Sequence, residues 1–288
     1  MQPVNRRSPA RGYTLVELVV ALVLGAVVLS ATGEVFLATR RFFLLQSSVL
    51  EVQEGLRAAM QVLSAELREL DPSGGDIVAL GSDSISIRAT RGLEFVCAPP
   101  DPVTGRVVVR SSLSSGYRAV DPARDRALVF RDGDGATEDD DAWLDLGIAS
   151  AGGAARCADG AAATEFRLLG AVGALDSVQI GAPVRWYERA VYRLYADETG
   201  AWWLGVRSWS GGAWAAISPV AGPLRHPLGL QLTYYDASGA ATAEPSRVAR
   251  IALVVRGVGS ALLQQTRGEQ SHWADSLATE VFPRNGRR

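Results

Sequence analysis

The chain has 288 residues, 48% of them hydrophobic, which is enough for one sizeable core or two small ones and too apolar for a disordered chain. Its 29 cations are all arginine, so chemistry that needs a lysine, whether a phosphate-binding P-loop or a Schiff base, is excluded. The formal charge of −2 and the scatter of arginines through the body give no overall attraction to polyanions, and nucleic acid is not an expected partner.

Residues 1–12 are polar and carry Arg6, Arg7 and Arg11, whereas Tyr13 to Ala31 holds a single charged residue, Glu17. A basic stub before about 20 apolar residues reads as a cytoplasmic segment followed by a membrane helix, oriented with the rest of the chain outside. A secretory signal peptide shares this charge order. Two features oppose that reading: the apolar run continues through Val35, Phe36 and Leu37 without a small-residue cleavage site, and Glu17 lies near its start. A carboxylate inside a bilayer costs on the order of 3 kcal/mol, so its presence points to a partner.

The run Arg11-Gly12-Tyr13-Thr14-Leu15-Val16-Glu17-Leu18 resembles the prepilin cleavage and methylation signature of type IV pilins and type II secretion pseudopilins. The resemblance implies that prepilin peptidase cuts between Gly12 and Tyr13 and methylates the new amino group of Tyr13. Phenylalanine is the commoner residue after the cut, and tyrosine keeps the aromatic character. It also implies that Glu17, four residues along the same helix face, pairs with the N-terminal amine of a neighbouring subunit and so fixes assembly register. Loss of the leader, with its three arginines and no acid, takes the formal charge from −2 to −5.

Apolar residues at Val49, Val52, Leu56, Met60, Leu63, Leu67 and Leu70 recur at spacings of three and four, so the helix continues as an amphipathic one; about three heptads could form a coiled coil, and packing on the chain's own sheet is the favoured reading. One helix over Tyr13–Leu70 would be about 87 Å long. Gly33 and Gly55 are places where it could bend, and Asp71-Pro72-Ser73-Gly74-Gly75 ends it. Beyond residue 75 the period changes to two. Strands are predicted at Ser84–Arg88, Arg106–Val109, Val191–Tyr195, Leu230–Tyr234 and Val248–Val255, and long connections or an insertion over 119–182. The expected organisation is a leader over 1–12, an apolar membrane and assembly helix over 13–39, its amphipathic continuation over 40–71, and a β-rich body over 72–288. The fold class is α+β, a long N-terminal helix on a mainly antiparallel sheet.

The acidic loop holds Asp132, Asp134, Asp139, Asp140 and Asp141, oxygen ligands that suit calcium. The EF-hand pattern fails, because its third ligand position is Ala136 and its twelfth is Trp143. An irregular calcium site and a solvated acidic turn remain as two readings, and no other cofactor is expected. Cys97 and Cys157 are either one disulfide, permitted in an exported body, or two buried thiols. Trp202, Trp203, Trp209 and Trp214 gather in a hairpin, as core packing or as an exposed interface. His226 and His272 sit in no recognisable catalytic pattern, and no enzyme activity is expected.

The resemblance is closest to PilW-type minor pilins and J-type minor pseudopilins, on the length of the chain, the helix tail from Leu56-Arg57-Ala58-Ala59-Met60 through Glu66-Leu67-Arg68 and the closing Leu277-Ala278-Thr279-Glu280-Val281-Phe282-Pro283-Arg284-Asn285. It implies a single-pass inner-membrane protein with its body in the periplasm or outside the cell. Such a protein primes or caps a type IV pilus or a secretion pseudopilus. Its partners would be prepilin peptidase, other minor and major subunits, the inner-membrane assembly platform and membrane lipid. Two alternatives stand beside it: an adhesin-like tip subunit that binds a surface or DNA, and an exported protein with an ordinary signal peptide or anchor.

Overall fold

A computed structural model describes residues 13–133, 141–264 and 270–284. Helix α1 (Leu15–Arg68) is unbroken over 54 residues, about 81 Å. It starts two residues later and stops two residues earlier than the span expected from the sequence. Its end is set by the aspartates that follow: Asp76 Oδ2 accepts from the Asp71 N–H at 2.8 Å and Asp71 Oδ1 from the Gly74 N–H at 2.9 Å. Those bonds replace helical ones and turn the chain.

The buried helix face is Ser48, Val52, Gly55, Leu56, Ala59, Leu63 and Leu67. Val49 and Met60, expected in this stripe, are only half-buried. The reason is close packing: small residues face the sheet, so the helix axis comes nearer to it and the larger neighbours rotate outward. Gly55 is the clearest case. A Cβ built there would lie 2.4 Å from the Gly222 carbonyl oxygen, so this glycine serves a helix–sheet contact within one continuous helix. Gly55→Val should therefore lower the unfolding free energy by roughly 2–3 kcal/mol. The midpoint of urea unfolding measures it, and an unchanged midpoint would show that the contact opens freely.

The strands are β1 (Ile77–Leu80), β2 (Ser84–Asp101), β3 (Arg106–Arg110), the short β4 (Ser115–Gly116), β5 (Asp125–Arg131), β6 (Ala142–Arg156) and β7 (Ala162–Leu169). They continue with β8 (Pro183–Ala196), β9 (Trp202–Ser210), the short β10 (Ala213–Trp214), β11 (Ser218–Leu224), β12 (Leu230–Tyr235), β13 (Arg250–Gln264) and β14 (Gln270–Val281). Every pairing is antiparallel, which joins the long helix and the sheet into the α+β class. The strand expected at Val248 starts two residues later, because Pro245–Arg247 forms a 3-10 turn and the Ala249 N–H bonds to the Tyr235 carbonyl.

Two cores result. In the first, α1 packs on the large sheet with Ile85, Ile87, Tyr192, Leu194, Leu204, Ile251, Leu253 and Val255. Each fully buried leucine or isoleucine there contributes about 1.5–3 kcal/mol. The second core takes much of its lining from the glycine-rich stretch 119–182 and the rest from β2, β3 and β8. That stretch carries β5, β6 and β7, which the sequence pattern missed.

These three strands close a ring of hydrogen bonds, β2–β3–β7–β6–β5–β8 and back to β2, a six-stranded barrel beside the helix-bearing sheet. Closure is achieved by bending. The 18-residue β2 and 15-residue β6 each pair with one neighbour along their first part and another along their second, with register shifts between. Val107, Val109, Val129, Leu146, Phe166, Leu168, Val184 and Trp186 fill the interior.

Cys97 on β2 and Cys157 in the β6–β7 turn are joined by a disulfide. The pair sits in a small apolar cluster with Ala98, Val108 and Ala163 on the barrel wall.

Candidate functional site

The N-terminal half of α1 is uncovered. Tyr13 is 87% exposed, and the leucines, valines and phenylalanines from Leu15 to Leu44 stand free of the body. It is the one helix among the described residues that is long and apolar enough to cross a membrane. Its hydroxyl groups are satisfied within the helix: Ser30 Oγ donates to the Ala26 carbonyl, Thr32 Oγ1 to Val28 and Thr39 Oγ1 to Val35. That is the arrangement an apolar solvent demands.

Thr14 caps the helix. Its Oγ1 accepts from the Glu17 N–H at 3.2 Å, while Glu17 Oε2 accepts from the Thr14 N–H at 3.1 Å and from Thr14 Oγ1 at 3.2 Å. This reciprocal capping box starts the helix two residues after the expected cleavage point and holds the Glu17 carboxylate at its mouth. The sequence reading assigned Glu17 an intermolecular role and missed this local one, although Thr-x-x-Glu is visible in the sequence. Gly12 and the leader lie outside the described residues, so only the Tyr13 side of the bond expected to be cut is described.

The helix is tied to the body by charges the sequence did not single out. Glu188 on β8 is 4% exposed and lies where helix, sheet and barrel meet. It accepts from Arg91 Nη2 at 3.3 Å, Arg118 Nη2 at 2.7 Å, Arg124 Nη2 at 3.1 Å and Ser208 Oγ at 2.9 Å. Arg91 reaches in turn to Glu66 of α1 at 3.0 Å, and Arg118 grips Asp125 with two bonds of 2.6 and 2.7 Å. Burial alone would raise the Glu188 carboxyl. The Arg91 charge and the hydrogen bonds from Arg118, Ser208 and Arg91 outweigh it and hold the group below the usual carboxylate range.

A depressed carboxyl stabilises the fold above its unfolded pKa, about 4.3, and that stabilisation is lost as pH falls through the lower folded value. Glu188→Gln should cost about 3 kcal/mol at neutral pH, by leaving three buried or half-buried arginines undercompensated, and should flatten the dependence of stability on pH below about 4. Urea titrations at several pH values test this. An equal acid slope in both chains would assign the slope to other groups.

The remaining expected residues are dispersed. Asp132 and Asp141 flank the acidic loop, and Asp134, Asp139 and Asp140 lie outside the described residues. Among the described residues no three His, Cys, Asp or Glu side chains are grouped to hold a metal ion. Trp202 stacks on His226 with ring centroids 3.7 Å apart, and Trp203 Nε1 donates to Asp197 at 2.8 Å. Trp209 and Trp214 meet edge-on at 5.4 Å across the β9–β10 hairpin. His272 Nδ1 lies 2.9 Å from the Gly259 carbonyl oxygen.

Residues 7–33 match the family described as the prokaryotic N-terminal methylation motif. No curated protein and no solved structure matches the chain. The motif, which takes in Gly12, Tyr13, Thr14 and Glu17, together with the free apolar helix, supports a type IV pilin- or pseudopilin-like protein with a single-pass inner-membrane anchor. It implies processing by prepilin peptidase and assembly with other pilins.

Proposed function

We propose that the chain is a minor pilin or pseudopilin, closest in kind to the PilW-type and J-type subunits, that primes or caps a type IV pilus or a type II secretion pseudopilus. Prepilin peptidase cuts between Gly12 and Tyr13, Tyr13 is N-methylated, and Glu17 pairs with the amine of a neighbouring subunit. The body stands in the periplasm or outside the cell. The chain does no covalent chemistry of its own.

One observation carries the reading: about thirty residues of uncovered apolar helix whose sole charge between Tyr13 and Gly33 is a carboxylate one turn from the processed end. A bilayer satisfies the apolar surface and a second subunit's amine satisfies the charge. The body suits a minor subunit in its size, with a barrel added to the helix-bearing sheet.

Mass spectrometry of the chain purified from membranes tests the processing step. The expected first residue is N-methylated Tyr13, and a first residue near 32 or later would sink the proposal in favour of an ordinary signal peptide. A second reading, a tip subunit that binds a surface or nucleic acid, is favoured by the stacking of Arg189 and Arg207 on Trp209 and Trp214 in the β8–β10 part of the body.

A further inference from the structure

The large sheet has two faces. Ala190, Tyr192 and Leu194 of β8, Ile85 and Ile87 of β2, and Leu204 of β9 point into the core under α1. Alternation along each strand therefore puts Arg88 of β2, Arg189 and Arg193 of β8, and Arg207 and Trp209 of β9 on the other face. No helix covers that face among the described residues.

The charges there are unbalanced. Arg88 and Arg189 are direct cross-strand partners, and Arg207 is the partner of Val191, between Arg189 and Arg193. Strand geometry puts Arg207 about 8 Å from each of those two, in a zigzag along the sheet. Like charges placed directly opposite destabilise a sheet. Arg88 is relieved by Asp145 at 3.4 Å, which also accepts from Arg126 at 2.8 Å. Arg189, Arg193 and Arg207 make no salt bridge to a carboxylate among the described residues, in contrast to Arg91, Arg118 and Arg124, which share Glu188 on the helix side.

What holds two of the three is aromatic. The Arg189 guanidinium lies 4.9 Å from the Trp209 ring centroid and 5.7 Å from that of Trp214, and Arg207 lies 5.3 Å from Trp214. The indoles fix the guanidinium planes, which lowers the entropy lost when those groups later take an anion. Half-buried tryptophans beside fixed arginines give a surface that can stack planar rings as well as bind phosphates.

We propose that the face of the sheet opposite α1, built on Arg189, Arg193, Arg207, Trp209 and Trp214, binds single-stranded nucleic acid. The net charge of the chain hides this site, because a sum over residues does not see that the fold gathers arginines without carboxylate partners among the described residues on one face and pairs a different set with Glu188 on the other. The inference rests on the tip-subunit reading and leaves the assembly role untouched, since the apolar helix and this face are separate parts.

The test is fluorescence anisotropy of a labelled short oligothymidylate against the full mature chain in a nonionic detergent. Binding is expected at about 50 mM salt and should weaken with salt, at about 0.7 logarithmic units of affinity per logarithmic unit of salt for each phosphate contacted. Arg193→Glu, at an exposed position, should weaken binding about fivefold or more and make the salt dependence shallower, and Arg189→Gln should act in the same direction. Arg247→Glu, away from this face, should leave affinity unchanged. No binding at low salt, or equal affinity for the Arg193→Glu chain, overturns the proposal. So does a duplex or a sulfated polysaccharide that binds as tightly as the single strand. A failed titration with a correct Tyr13 terminus would reject this site alone, whereas a wrong terminus would reject the assembly role.

Discussion

A Glu17→Gln chain is expected to be cleaved, to fold and to reside in the membrane, yet to enter filaments or pseudofilaments about a hundredfold less than the unaltered chain. The size follows from the proposed charge pair. Removing one partner of a buried ion pair leaves the other unpaired at a cost of about 3 kcal/mol or more, which is about two factors of ten. Glutamine isolates this effect because it can occupy the third helical position of a capping box, so the bonds to Thr14 survive while the charge does not. Glu17→Ala removes both. The share of chain recovered with other subunits after detergent extraction is the readout, with proteolytic resistance of the body as the control for folding. Normal recovery of the glutamine variant would contradict charge pairing, and a defect confined to the alanine variant would move the role of Glu17 to helix capping.

Replacing both cysteines by alanine should lower the stability of the barrel by about 4 kcal/mol. The disulfide joins positions 60 residues apart, and the chain-entropy model gives that figure for a loop of this length. The bond spans most of the barrel's sequence, including β3, β5 and β6, so its loss should be felt there first. Hydrogen exchange is expected to quicken in β3, β5 and β6 while β13 and the buried half of α1 keep their protection. Uniform quickening throughout would show that the two cores unfold together, and no quickening would show that the bond adds nothing to the barrel.

Much of the assembly end was legible in the sequence. The basic leader, Gly12, Tyr13, Thr14 and Glu17 are contiguous, and their meaning depends on short-range order that a sequence displays directly. The long helix was readable for the same reason, since its apolar period is local. The strands Val191–Tyr195 and Leu230–Tyr234 emerged from alternation, as did the start of β2, and Arg106–Val109 from a short β-branched run. The stretch 119–182 misled because alanine and glycine hide a period of two: β6 runs through Ala149-Ser150-Ala151-Gly152-Gly153-Ala154-Ala155, where little distinguishes its two faces. Gly55 reads in the sequence only as a place where the helix could bend or as a tolerated glycine, because nothing in its neighbourhood shows that Gly222, far along the chain, comes within contact.

By itself the sequence determined the processing motif, the apolar helix and the two-cysteine arithmetic, all properties of residues adjacent or evenly spaced along one segment. Only the tertiary structure decided that β2 and β6 bend to close a barrel, and that the helix is locked to it through Glu188. It also decided that arginines from β2, β8 and β9 share one face of the sheet. The physical reason is common to all three. Each depends on hydrogen bonds or charges that meet across many residues of chain, where register and burial are set by long-range pairing, and composition records the groups but not their company.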